Sequence, residues 1–139
     1  MKIRSLLLAL ILSVGLFTTS CSSDDNEGET LVPLEGKWDL SKTGTVINGT
    51  ETLVDPIENA NNCSKDYIEL KLDNTINVGN YDSAVTACAL TVQSGIYSRS
   101  HNNITTVVNG VTKTQDIVNL TLKELKVKDA AGVITVYTR

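Results

Sequence analysis

The sequence has 139 residues, of which 41% are hydrophobic, and it carries a formal net charge of −4. This length and composition predict one globular domain with a modest core rather than several domains. Nucleic-acid binding requires a basic surface, so a weakly acidic chain argues against a nucleic-acid partner.

The first twenty residues have the three-part pattern of a secretory signal peptide. Lys2 and Arg4 form a short positive segment, residues 6–17 are mostly apolar, and residues 18–20 are small. A membrane-spanning helix needs about 20 apolar residues, which is longer than this run. We therefore expect residues 1–20 to be a signal peptide that is removed from the mature protein.

Cys21 follows this segment directly. The sequence Thr19-Ser20-Cys21 resembles the lipobox of bacterial lipoproteins, in which the cysteine is acylated. A diacylglyceryl thioether and an amide-linked acyl chain would together supply the two or more chains that stable membrane attachment needs. The resemblance therefore implies that Cys21 is lipidated and that the protein is anchored to a membrane. The alternative is an ordinary signal peptide that leaves Cys21 as a thiol.

The residues after this cysteine are polar and acidic. Ser22, Ser23, Asp24 and Asp25 resemble the export signal of surface-exposed lipoproteins of Bacteroidota. This resemblance implies an outer-membrane lipoprotein exposed at the cell surface, with a periplasm-facing lipoprotein as the alternative. Residues 21–33 contain too little apolar surface to fold, so we predict that they form a flexible acidic tether.

Residues 34–139 have the patterns of an all-β domain. Two segments alternate apolar and polar residues, as strands with one buried face do. Their apolar positions are Ile68, Leu70 and Leu72 in the first segment and Val118, Leu120 and Leu122 in the second. The dipeptides Asn48-Gly49 and Asn109-Gly110 favour two-residue hairpins, because both turn positions need positive φ. Short strands separated by such turns predict an antiparallel barrel or a β-sandwich.

One short motif makes the fold prediction more specific. Gly36-Lys37-Trp38 resembles the Gly-x-Trp opening of lipocalins, in which the first strand enters a barrel and the tryptophan closes its base. The resemblance implies that Gly36 and Trp38 lie at that base. In larger lipocalins an arginine of the last strand stacks over the tryptophan, and Arg139 is the candidate for this role.

The order of the later motifs is similar to that of the small lipocalin-like domains of Bacteroidota lipoproteins. After the Gly-x-Trp strand come Cys63, the alternating residues 67–72, Cys88 and a tail of hairpins. The likeness covers nearly all of residues 34–139. It implies a small up-and-down antiparallel β-barrel of about eight strands, with the β-sandwich as the alternative.

Cys63 and Cys88 are the cysteines that remain if Cys21 is lipidated. An exported protein folds in an oxidising compartment, so we predict a disulfide between them. The rival is a zinc site, which would need about four ligands at short spacings. The sequence contains no such cluster, and we predict neither a metal nor another cofactor.

The sequence lacks the motifs of nucleophilic catalysis, phosphate binding and dinucleotide binding, so we predict that the protein is not an enzyme. Two hypotheses remain for its function. The barrel holds one small apolar ligand, or it is filled and its loops bind a protein or glycan at the cell surface. In the second case residues 54–64 are the candidate contact loop.

A short motif also suggests a covalent modification. Asp82-Ser83-Ala84 is similar to the O-glycosylation motif that Bacteroides-type bacteria use on exported proteins. The resemblance implies O-glycosylation of Ser83. The alternative is that these residues only form a turn.

Overall fold

The computed structural model describes residues 32–57, 62–84 and 87–139. The predicted signal peptide, Cys21, the predicted export signal of residues 22–25 and the tether up to residue 31 lie outside the described residues. No helix of the described part is long and apolar enough to cross a membrane.

Nine β-strands make up the described domain. In chain order they are β1 (Gly36–Ile47), β2 (Thr50–Val54), β3 (Tyr67–Leu70), β4 (Thr75–Tyr81), β5 (Leu90–Ser100), β6 (Asn103–Val108), β7 (Val111–Leu120), β8 (Glu124–Asp129) and β9 (Val133–Thr138). All of their pairings are antiparallel.

Eight of the strands close into a barrel. Strands β3 to β9 follow one another around the sheet, and β1 pairs with both β3 and β9. The pair Leu40–Tyr137 belongs to the closing contact between β1 and β9. The prediction of an up-and-down antiparallel barrel of about eight strands is confirmed, and the β-sandwich alternative is wrong. The ninth strand, β2, is not one of these eight. It pairs with the same edge of β1 as β3 does, but further along β1.

The two Asn-Gly hairpins form as predicted. Asn48 and Gly49 have φ angles of 51° and 77°, and they join β1 to β2. Asn109 and Gly110 have φ angles of 51° and 75°, and they join β6 to β7. Positive φ at both positions gives the turn a twist that matches that of the flanking strands.

The second alternating segment does not form one regular strand face. The register of β7 against β8 shifts between Ile117 and Asn119, which makes Val118 a bulge residue. Ile117 and Leu120 therefore both pack on the core, whereas Val118 is exposed. The expectation that Val118 and Leu122 share a buried face with Leu120 is wrong.

The first alternating segment also ends earlier than the pattern suggests. Strand β3 stops at Leu70, which is buried, and Leu72 is 87% exposed in the following turn. Asp73 fixes this turn, because its carboxylate accepts hydrogen bonds from the N–H and the hydroxyl of Thr75. Local turn chemistry therefore overrides the apolar alternation at Leu72.

The main core lies inside the barrel, towards the end where the chain enters β1. Its buried members are Leu34, Trp38, Leu70, Ile76, Tyr97, Ile104, Leu125 and Val127. Trp38 is fully buried, and its indole N–H donates to the carbonyl oxygen of Leu34 at 2.8 Å. This bond satisfies the one polar atom that the indole brings into the core.

Arg139 covers this end of the barrel from outside. Its guanidinium lies 3.9 Å from the centroid of the Trp38 ring. It also donates hydrogen bonds to the carbonyl oxygens of Pro33, Glu35 and Leu122 at 2.8–3.2 Å. The N-terminal segment, the β7–β8 turn and the end of β9 are therefore held together by one side chain.

Gly36 lies against the same guanidinium. Its φ angle is +128°, and a Cβ atom at this position would lie 2.9 Å from Nη1 of Arg139. A larger residue would be strained in its backbone and would displace the arginine. Gly36, Trp38 and Arg139 thus lie together at the closed base of the barrel.

A second buried layer covers the outside of β9. Ile134 and Val136 are 1% and 4% exposed. Their register partners on β8 are Lys128 and Lys126, which alternate with the core residues Leu125 and Val127 and therefore point to the outer face of the sheet. Ile134 and Val136 are thus buried on that outer face. Lys126 of β8 forms an ion pair of 2.9 Å with Glu51 of β2. Because β1 and β9 separate these strands in the sheet, the β1–β2 hairpin must fold across the outer face of β9.

We predict that Arg139→Ala lowers the free energy of unfolding by about 1–2 kcal/mol, because it removes the ring contact and three hydrogen bonds from a side chain with solvent on one side. Urea unfolding measures this loss. Iodide should also quench the fluorescence of Trp38, the single tryptophan, more strongly in the variant.

Arg99→Ala is the matched control, since Arg99 is exposed and its side chain donates a hydrogen bond to the carbonyl of His101. A control of this kind should change stability by no more than about 0.5 kcal/mol. Equal effects of the two substitutions would show that Arg139 does not hold the base together.

Candidate functional site

The inside of the barrel contains a cavity of about 360 Å³. Its deepest walls are apolar and buried, and they are formed by Ile76, Ile104, Leu125 and Val127. The rest of the wall is mixed: it contains the apolar residues Ile68, Val78, Val108 and Val111 and the polar residues Gln93, Thr106, Asn109, Lys113, Gln115 and Tyr137. The cavity therefore combines an apolar floor with several hydrogen-bonding groups.

The mouth of the cavity lies at the β6–β7 hairpin. Val111, 68% exposed, and the exposed residues Asn109 and Lys113 all belong to its lining. Trp38 is not part of the lining and lies at the closed base. A ligand would thus enter at the end opposite Trp38, with Lys113 as the charged side chain of the cavity wall.

Strand β5 helps to keep the interior open. Gln93, Gly95 and Tyr97 share its inner face, and Gly95 contributes no side chain there. A Cβ atom at Gly95 would overlap the carbonyl oxygen of Val107, because the backbone of β6 lies close to β5 at this position. The close approach of the two strands therefore excludes a space-filling residue halfway along β5.

A second cavity, of about 180 Å³, adjoins the first. Ile68, Val78 and Tyr137 line both cavities. The other residues around the second cavity are Leu40, Asp66, Tyr67 and Asn80. Asn80 is exposed, which places the opening of this cavity beside the end of β4.

Asp66 is the buried polar residue of the second cavity, with an exposed fraction of 7%. Its carboxylate accepts a hydrogen bond from the backbone N–H of Tyr81, and its carbonyl oxygen accepts one from Leu40 at 2.7 Å. These bonds fix Asp66 between β1 and β4. Burial, and to a lesser extent the negative charge of Asp66, raise the pKa of Tyr137 to about 12.

The sequence did not identify Asp66 or Tyr137 as site residues. Asp66 precedes the alternating segment and carries no recognisable motif, and Tyr137 belongs to a β-branched run that predicts only a strand. Their proximity arises from the pairing of β1 with β9 and β3. No local spacing encodes that contact.

The predicted disulfide is confirmed. Cys63 and Cys88 are bonded, with their Cα atoms 5.4 Å apart. The bond joins the β2–β3 loop to the β4–β5 loop. Cys63 lies three residues before Asp66 in the chain. Together with the hydrogen bond from Tyr81 to Asp66, it fixes the backbone beside the opening of the second cavity.

Two further predicted sites, Ser83 and the candidate contact loop, lie at the end of the barrel where the disulfide forms. Ser83 is partly exposed in a turn, in which the N–H of Ala84 donates to the carboxylate of Asp82 at 2.9 Å. Its glycosylation stays a prediction.

Of the candidate contact loop, residues 58–61 lie outside the described part, and Val54 and Ile57 are exposed. In the described ranges, no three His, Cys, Asp or Glu residues form a group that could hold a metal ion.

The raised pKa of Tyr137 predicts a loss of stability in alkali. Between about pH 10 and pH 12 this phenol ionises in the unfolded chain but stays protonated in the folded protein, so the free energy of unfolding falls by about 2–3 kcal/mol. Tyr137→Phe should lose less stability than the wild type between about pH 9 and pH 12 in urea unfolding. Equal losses in both proteins would contradict the assignment to Tyr137.

Comparison with known proteins agrees with this architecture. Residues 34–127 match the family model of the lipocalin-like domain, and no curated protein matches the chain. A lipocalin-like protein from Bacteroides uniformis ATCC 8492 has a TM-score of 0.57 and 16% identity, over 76% of this chain and 97% of that one. An uncharacterized protein from Bacteroides eggerthii DSM 20697 has a TM-score of 0.57 and 12% identity, over 77% and 99%. The family prediction is thus confirmed, and this chain belongs to the family of lipocalin-like domains.

Proposed function

We propose that the protein is a non-catalytic binding module that holds a small, mainly apolar ligand inside its barrel. The observation that carries this proposal is the cavity of about 360 Å³ with its buried apolar floor and polar mouth. Ligand pockets in proteins commonly measure about 300–1,000 Å³ and combine apolar walls with a few polar groups. The cavity lies near the lower end of this range, which favours a small ligand.

The distribution of side chains also suggests how the ligand is oriented. Burying apolar ligand surface against Ile76, Ile104 and Leu125 is favourable by about 25 cal/mol for each Å² removed from water. Polar ligand atoms are costly to bury without a hydrogen-bond partner. We therefore place the apolar part of the ligand on the floor and its polar atoms near the polar residues of the wall.

In the alternative function, the barrel is filled by its own side chains, and only its loops bind a protein or a glycan. A filled interior would leave no cavity of this size below the β6–β7 hairpin. The loops could still contact a protein or a glycan, but no particular arrangement of the described residues supports such a partner. We therefore give priority to the small-ligand function.

We predict that Thr106→Phe weakens binding of decanol, a small apolar probe, by at least about tenfold, because the larger ring occupies cavity space. Thr106 lines the cavity. Isothermal titration measures the affinity, and circular dichroism verifies that the variant is folded.

Thr105→Phe is the matched control. Thr105 is the preceding residue of β6, and its hydroxyl bonds to Thr114 on the outer surface. Its affinity for decanol should equal that of the wild type. The proposed function fails if the wild type does not bind decanol, or if both variants bind it equally well.

We further propose that the module is anchored to the outer membrane through acylated Cys21 and is displayed at the cell surface. The support comes from the residues themselves. Thr19-Ser20-Cys21 follows a signal-like segment, and two serines and two aspartates (residues 22–25) follow the cysteine. A tether of about a dozen mostly polar residues would separate the lipid from the folded domain.

We predict that Cys21→Ser abolishes the incorporation of radiolabelled palmitate and releases the protein from the membrane fraction, because every acyl chain of the anchor depends on this residue. Cys63→Ser is the control, since it removes a thiol that forms the disulfide, and it should still be labelled. Labelling that persists in Cys21→Ser would overturn the proposed anchor.

A further inference from the structure

The polar residues that line the larger cavity fall into two separate groups. From Gln93 to Gln115, five of them lie on β5, β6, β7 or the β6–β7 hairpin, whereas the sixth, Tyr137, lies on β9. In the ring of eight strands, β9 is four strands away from β5 in either direction. Tyr137 therefore lies on the opposite side of the barrel from Gln93.

Apolar side chains occupy the walls between these two groups. Leu125 and Val127 belong to β8, which separates β7 from β9. On the other route around the barrel, Ile76 and Val78 belong to β4. Leu125 is also the register partner of Tyr137 and is fully buried. A ligand that lies across the cavity thus meets polar, apolar and again polar side chains.

Hydrogen-bonding capacity is unused at both ends of this path. Among the described residues, the side chains of Gln93, Gln115 and Tyr137 make no hydrogen bond to the protein, and all three are partly buried. Burial is the main cause of the raised pKa of Tyr137, so its hydroxyl is poorly accessible to water. Polar groups in such positions are normally paired with protein, water or a ligand. These three side chains are therefore available to a ligand that replaces water.

The available groups carry no charge, and they select ligand groups that carry none. An amide donates and accepts hydrogen bonds, and so does a phenol, so hydroxyl and carbonyl groups match both. An ionised group beside Gln93 or Tyr137 would need a counter-charge from the cavity lining. In the described lining of this cavity, Lys113 is the charged residue, and it is exposed at the mouth. Because a buried charge without a partner is more costly than a paired hydroxyl, the interior favours uncharged ligands.

We propose that the barrel binds an uncharged ligand with a hydrogen-bonding group at each end, one pairing with the phenol of Tyr137 and the other with the amides of Gln93 and Gln115. The ligand class is an apolar body that carries hydroxyl or carbonyl groups at opposite ends. This inference rests on the proposed function, because it names the class of ligand for the same cavity. It makes Tyr137 a specificity-determining residue.

Two ten-carbon probes, decanol and 1,10-decanediol, test the proposal by isothermal titration. They differ in one terminal hydroxyl, which weakens binding if it is buried without a partner. We expect decanediol to bind at least as tightly as decanol, because Tyr137 pairs with the second hydroxyl. Weaker binding of decanediol than of decanol by the wild type would overturn the inference.

Tyr137→Phe is the decisive variant, because it keeps the ring and removes the hydroxyl. The ratio of decanediol affinity to decanol affinity should fall by about tenfold, since the single hydroxyl of decanol still pairs with the opposite side of the barrel. Gln93→Leu combined with Gln115→Leu removes the other pairing and should lower the ratio by a similar factor. Tyr81→Phe, at a tyrosine outside the lining of both cavities, is the control and should leave the ratio unchanged.

The outcomes separate the two proposals. If the wild type binds neither probe, the proposed function fails and the inference fails with it. If decanol binds but Tyr137→Phe leaves the ratio unchanged, only the inference fails. Should circular dichroism show that Tyr137→Phe does not fold, an unchanged ratio in the double glutamine variant overturns the inference.

Discussion

Arg139 connects parts of the chain that are far apart in sequence. Its guanidinium stacks on Trp38 and bonds to backbone carbonyls on both sides of the barrel base. The arginine suits this role because its planar guanidinium can stack on a ring while its N–H groups donate hydrogen bonds in the plane of the guanidinium. With this end closed, the opposite end is left as the route to the interior.

The closed base and the cavity are two results of the same distribution of residue sizes. Large side chains such as Trp38 and Tyr97 fill the lower part of the barrel. Higher up, the inner positions carry aliphatic, amide and hydroxyl groups, and β5 carries Gly95, which has no side chain. Because eight strands enclose just enough space for side chains or one small ligand, this change from large to small residues decides whether a cavity exists.

The sequence was sufficient to predict the architecture because its signals are local. Alternation and Asn-Gly turns each depend on a few neighbouring residues and predict antiparallel strands, and the Gly-x-Trp motif adds the barrel through its resemblance to lipocalins. The disulfide was predicted because Cys63 and Cys88 remain once Cys21 is assigned to lipidation. The bulge at Val118 and the outer layer over Ile134 and Val136 could not be predicted in this way. They depend on strand register and on the hairpin that folds over β9, which are properties of the whole sheet.

The candidate site illustrates the same limit. From the sequence alone, Thr106 and Gln115 cannot be distinguished from other strand residues, and Asp66 is a polar residue before a strand. Whether such residues face a cavity depends on barrel curvature and on which strands meet. The opposite positions of Gln93 and Tyr137 can be recognised only after the strands have been arranged around the interior.

The pairing of β1 with β9 has a consequence for the kinetics of folding. The contact between Leu40 and Tyr137 joins the first strand to the last, so most of the chain forms the loop that this contact closes. Non-local pairing of this kind slows folding, because the entropy of loop closure is lost before the contact stabilises the sheet. Until β9 is available, β1 has an unpaired edge that could associate with other chains. The barrel can therefore close only after the whole domain has been synthesised, and the interval before closure is when aggregation is most probable.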